Sequence, residues 1–92
     1  MLTKKYTFTR NELKKIVKKF KQLKEAYINK PLNFYEKLFN TKFRNSTIKK
    51  IDFFIKDIQK LLCSESKRIK NKKKFRFNTN YKDAIVGFEY LL

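Results

Sequence analysis

The sequence predicts a mostly α fold: a small helical hairpin or bundle of three to four helices with a basic, extended C-terminal segment. Three observations predict it. Apolar residues recur at three- and four-residue spacing along two long stretches. A single glycine, Gly87, and a single proline, Pro31, leave little material for the tight turns of a many-stranded sheet. Ninety-two residues at 41% hydrophobic content, with ten Phe and five Tyr, suffice for one modest core.

The elements follow in order. "KYTFT" (Lys5 to Thr9) alternates as a short strand or an extended lead-in. "TRNELKKIVKKFKQLKEAYIN" reads as a helix with Leu13, Ile16, Val17, Phe20, Leu23 and Tyr27 on its apolar face. Thr9 or Asn11 suits its cap and Glu12 its first turn. Pro31 stops it, because a proline disfavours helix at the preceding Lys30. The same Pro31 can open "PLNFYEKLFNTKF", whose apolar face is Leu32, Tyr35, Leu38, Phe39 and Phe43. "RNST" (Arg44 to Thr47) supplies a break and a cap. In "STIKKIDFFIKDIQKLLC", Ile48, Ile51, Ile55, Ile58 and Leu62 step as a heptad seam that Phe54 and Leu61 widen. Cys63, the lone cysteine, excludes an internal disulfide and reads as a small core hydrophobe. The pattern then dissolves, so residues 1–63 form the expected bundle. Residues 64–92 form a basic arm with a short C-terminal helix or strand. In "NYKDAIVGFEYLL", Tyr81, Ile85, Phe88 and Leu92 favour the helix, with Asn80 and Asp83 as a capping pair.

Charge carries the functional signal. Twenty-five Lys and Arg oppose eight Asp and Glu, a net charge of +17. A chain so lopsided repels itself when compact, and a polyanion relieves that repulsion. Lysine dominates, which A/T-rich codons would also produce, yet Asp and Glu have not risen with it. The densest run is "KRIKNKKKFR": Lys67, Arg68, Lys70, Lys72, Lys73, Lys74 and Arg76, with no acid among them. A second group on the first helix, Lys14, Lys15, Lys18, Lys19, Lys21 and Lys24, lies off the apolar stripe. Positive charge tracks phosphates. Phe75 and Phe77 either stack on unpaired bases or form one face of a strand pinned to the bundle. Many Lys and few Arg favour positioning on phosphates over reading of base edges.

Catalytic and metal chemistry have little to stand on. The chain has no His, which excludes a Cys–His dyad and a zinc finger. It shows no glycine-rich phosphate loop, and its carboxylates are scattered among lysines; Glu36 with Asp52 or Asp57 is the one acid–base pairing that a hairpin would bring together. The expectation is a non-enzyme without cofactor, metal or small-molecule substrate. No apolar run reaches a membrane span, and "MLTKKYTFTR" lacks the apolar stretch of a secretory signal. The basic amphipathic first helix also has the composition of an interfacial helix, but a bundle core accounts equally for its apolar face.

Residues 36–62, "EKLFNTKFRNSTIKKIDFFIKDIQKLL", resemble the large-subunit ribosomal protein family numbered twenty-nine, a long helical hairpin beside the peptide exit tunnel. "KLFNTKF" is similar to the end of that family's first helix. Ile48, Ile51, Ile55, Ile58, Leu61 and Leu62 follow the spacing of its second. The resemblance implies a ribosomal component in the cytoplasm or an organelle matrix, bound to rRNA and neighbouring ribosomal proteins. It implies that Lys42, Lys49 and Lys50 face that RNA. The chain departs from the family at Asp52 and Phe53, which replace a basic pair, and at Asp57, which replaces an arginine. Its interhelical loop is shorter, Pro31 interrupts the first helix, and residues 64–92 have no counterpart in the short bacterial form.

The expected function is therefore that of an RNA-binding structural protein. Two alternatives stay open. One is a phage or plasmid DNA-binding or inhibitor protein with "RNSTIKKIDFFIK" as recognition helix. The other is a basic bundle, similar to bacteriocin-immunity proteins, acting on a protein or membrane partner.

Overall fold

The alternation in "YTFT" and "KFRF" and the helical stripes between and after them assemble into one core. A computed structural model describes residues 5–30 and 41–92. Its elements are β1 (Tyr6–Thr9), α1 (Arg10–Asn29), α2 (Thr41–Leu62), α3 (Lys67–Lys70), β2 (Lys74–Phe77) and α4 (Tyr81–Leu91). The mostly helical expectation holds, with a two-stranded sheet added.

Helix α1 begins at a capping box. The Thr9 hydroxyl accepts from the Glu12 amide at 3.2 Å, and Glu12 Oε1 accepts from the Thr9 amide at 3.0 Å. Two amides that the helix leaves unpaired are thereby satisfied. At the other end Lys30, held extended before Pro31, ends the helix (φ −61°, ψ 121°). All six residues of the expected apolar face are buried.

Helix α2 corrects one boundary. "RNST" does not break it: the helix runs through Arg44 to Thr47. Thr47 turns its hydroxyl back onto the Phe43 carbonyl at 2.8 Å, so its polar group is satisfied inside the helix. The proposed separate helix over residues 31–43 lies outside the described residues except at its end, where Phe43 is exposed within α2. The Glu36 pairing also falls outside them. The isoleucine seam faces α1, with Ile51, Ile55 and Ile58 buried. Cys63 follows the last turn and is exposed, not a core residue. It lies beyond Leu62, where the stripe has run out.

The basic arm is not an arm. Strand β2 pairs antiparallel with β1 in the register Tyr6↔Phe77, Thr7↔Arg76, Phe8↔Phe75 and Thr9↔Lys74. Partners directly opposite share a face, so Phe8, Phe75 and Phe77 enter the core while Lys74 and Arg76 point to solvent. Helix α4 then returns across α1. Asn80 caps it, accepting from the Asp83 amide and donating to the Asp83 carboxylate at 2.9 Å. Residues 1–63 and 64–92 thus contribute to the same core.

At the centre sits Tyr81, 2% exposed. Its ring lies 5.1 Å from Phe77, 5.4 Å from Phe54, 5.8 Å from Phe8 and 5.9 Å from Phe20 between centroids. These distances and the edge-on geometry of three of the pairs are those of favourable aromatic contacts. The buried phenol needs a partner, and its hydroxyl donates to Asp57 at 3.2 Å. The Tyr27 hydroxyl likewise donates to the Phe88 carbonyl, joining α1 to α4.

Ring packing and hydroxyl separate on substitution. Tyr81→Ala is expected to cost about 3–5 kcal/mol through its cavity, and Tyr81→Phe only about 0.5–1.5 kcal/mol. Urea unfolding of both variants measures this, and equal losses would contradict a core held chiefly by rings.

Candidate nucleic-acid interface

The segment from Lys67 to Arg76 combines many cations with few apolar residues, and those few fasten it. Its first turn, α3, packs Ile69 against the core. The Ile69 carbonyl accepts from the Lys72 amide at 3.1 Å, and Arg10 adds a side-chain donor at the end of that turn: its guanidinium donates to Ile69 O at 2.8 Å and to Lys70 O at 3.4 Å. The same guanidinium lies 5.3 Å from the centroid of the Phe75 ring, and Lys72 Nζ lies 5.7 Å from it. Both distances are within cation–π range. Backbone bonds and apolar side chains therefore hold the segment, and its other cations project outward.

Ion pairing is distributed unevenly. Lys19 meets Glu89 at 2.7 Å, Lys24 meets Asp52 at 2.9 Å, Lys56 meets Asp52 at 3.0 Å, and Lys82 meets Glu12 at 3.0 Å. Every one of these cations belongs to α1, α2 or α4. Among the described residues, none of Lys67, Arg68, Lys70, Lys72, Lys73, Lys74 and Arg76 pairs with a carboxylate, and all are exposed. Carboxylates neutralise the faces where helices meet, and the opening of the C-terminal half stays uncompensated.

The other expected site residues divide. Lys14, Lys15 and Lys18 are exposed on α1 without an ion pair among the described residues, whereas Lys19 is engaged by Glu89. Lys42, Lys49 and Lys50 are exposed on α2. The apolar stripe of α1, also readable as a membrane-surface face, is taken up by the core. Phe75 is corrected: at 2% exposed it offers no free face to a base, because alternation turns it inward beneath Arg10.

The two basic groups are contiguous. Thr9, Arg10 and Asn11 at the start of α1 line one hollow with Lys70, Asn71, Lys72 and Lys73. From Asn11, Lys14 and Lys15 lie one helical turn on and Lys18 two, on the outward side of α1. A second cleft, of about 460 Å³, opens beside α3 and is lined by Arg68, Lys72 and Arg76 among others. The role of Arg10 was not visible as a site in the sequence. Its signal was chemical, one of four arginines in a chain whose other cations are all lysine.

Two carboxylates are perturbed by this fastening. Glu12 is held below the usual carboxylate range by the Thr9 amide and then by Lys82. Asp52 is held below it by Lys24 and then by Lys56. Burial and the neighbouring Asp57 raise Tyr81 above its ordinary value. Among the described residues no group of three or more His, Cys, Asp or Glu is placed to hold a metal ion. No described helix is long and apolar enough to cross a membrane.

No protein-family model, curated protein or solved structure matches this chain.

The depressed carboxylates fix a pH dependence. Their contribution is complete above the ordinary carboxylate range and is lost as pH falls through the lowered values. Asp52→Asn should therefore melt below the wild type at neutral pH, with the gap closing below about pH 4. Melting temperatures across pH 2–7 check this, and a gap that widens on acidification would contradict it.

Proposed function

We propose that this chain is an RNA-binding structural protein that grips RNA through its phosphates, with ribosomal RNA the first candidate. The observation that carries the reading is the contrast between paired and unpaired cations. Lys19, Lys24, Lys56 and Lys82 are matched by carboxylates of the fold. The Lys67–Arg76 cations are held outward by Arg10, Ile69 and Phe75 and matched by none among the described residues. A polyanion supplies the missing counter-charge, and release of its condensed ions drives the association.

Recognition by phosphates rather than bases follows from the residue types. Lysine is a point charge suited to phosphate oxygens. Helix α2 is a poor reader of a DNA groove, since Asp52 is tied to Lys24 and Lys56 and Asp57 accepts from Tyr81. The ribosomal assignment rests on the resemblance of residues 36–62 and on Lys42, Lys49 and Lys50, all exposed on α2. A ribosomal component would act by filling and neutralising an RNA fold, alongside neighbouring ribosomal proteins.

Binding of a labelled RNA as a function of salt tests the reading. With about 6–10 phosphate contacts, affinity should fall on the order of 10³–10⁵-fold between about 50 and 200 mM salt. Replacing Lys72, Lys73 and Lys74 by Gln should lower the log–log salt slope by about 2 on single-stranded RNA. Replacing the ion-paired Lys56 and Lys82 should leave that slope in place. An affinity indifferent to salt, or no binding at the lowest salt, would overturn the proposal.

A further inference from the structure

We infer that the cleft beside α3 seats one unpaired nucleotide of a single-stranded RNA, an inference that rests on the RNA-binding reading above. The cleft measures about 460 Å³, within the range of about 300–1,000 Å³ that small-ligand sites occupy. Its apolar floor is the half-buried Leu61 and Ile69, backed by the buried Phe75, and its exposed rim carries Arg68, Lys72 and Arg76. Ser66 adds a hydroxyl that both donates and accepts. No carboxylate lines it. An apolar floor under a triply cationic rim matches a base or sugar below and a phosphate above.

The arginines sharpen the assignment. The chain holds four of them among 25 cations, and two line this cleft while a third, Arg10, fixes its wall. A bias toward lysine accounts for cations in general and leaves arginine at these positions unexplained. A guanidinium does two things that an ammonium cannot: it forks onto a phosphate with two parallel hydrogen bonds, and its plane stacks on a base. Since Phe75 is buried, Arg68 and Arg76 provide the stacking planes. Arg10 is a positioning residue, holding the Ile69 and Lys70 carbonyls so that the turn bearing Arg68 stays against the strand bearing Arg76. A duplex keeps its bases stacked inside and presents only its backbone, so a base reaches the cleft only from a single strand or a loop.

The 92-residue chain is titrated with a single-stranded RNA of about twelve nucleotides and with the duplex of the same sequence, at one salt concentration. The comparison is repeated with Arg68→Lys/Arg76→Lys, which keeps the charge and replaces side chains that are exposed. The wild type should prefer the single strand by about tenfold or more. The double variant should lose that preference while keeping its duplex affinity and salt slope. As a second readout, the Ile69 methyl resonances should shift when the single strand is added to the wild type. Equal affinity for both RNAs, an undiminished preference in the variant, or unmoved Ile69 methyls would overturn the nucleotide seat and leave the phosphate-binding reading standing. Failure of the wild type to bind either RNA at low salt would remove both.

Discussion

The ring of Tyr81 touches Phe8, Phe20, Phe54 and Phe77, residues of β1, α1, α2 and β2. The chain carries +17 charges on 92 residues, and that repulsion acts against every compact arrangement. A core of aromatic rings counters it with large buried area per residue, and the contact spans elements from both ends of the sequence. Asp57, exposed on α2, completes the contact by accepting from the Tyr81 hydroxyl.

The remaining electrostatics follow from where the acids were placed. Glu12, Asp52 and Glu89 fasten α4, α2 and α1 to one another or to themselves through lysines. Individually such half-exposed pairs contribute little to stability. Their larger effect is on the pattern of surface charge, which they reduce where the helices meet and leave intact at the outward Lys14, Lys15 and Lys18 of α1 and from Lys67 to Arg76. That stretch is fixed by a different set of forces, the Arg10 hydrogen bonds and the burial of Ile69, Phe75 and Phe77. Separation of the residues that hold the segment from the residues that it presents is what makes a binding surface out of a charge run.

Much of this was legible in the sequence, for reasons that differ by element. The α1 face and the isoleucine seam of α2 announced themselves because helical periodicity is a local property repeated over many residues. The Thr9 and Asn80 caps were readable because each sits within three residues of its partner. The pairing of β1 with β2 was hidden: each strand has four residues, and nothing in either names a partner at the far end of the chain. That long-range pairing is also why the apparent arm belongs to the core and why Phe75 faces inward. The uninterrupted α2 was missed because Ser and Thr favour caps, and only the Thr47 bond to Phe43 shows the hydroxyl satisfied within the helix. At the candidate site the cations were visible as a run, while Arg10 was not, since its contacts lie about sixty residues away.

The central claim is that cations lacking a carboxylate in the fold are the ones an RNA phosphate meets. Lysine acetylation read by mass spectrometry, with and without a single-stranded RNA, tests it one side chain at a time. Lys67, Lys70, Lys72, Lys73 and Lys74 should be shielded by the RNA, while Lys19, Lys56 and Lys82 react at unchanged rates. Protection spread evenly over all of them, or confined to the ion-paired lysines, would contradict the account.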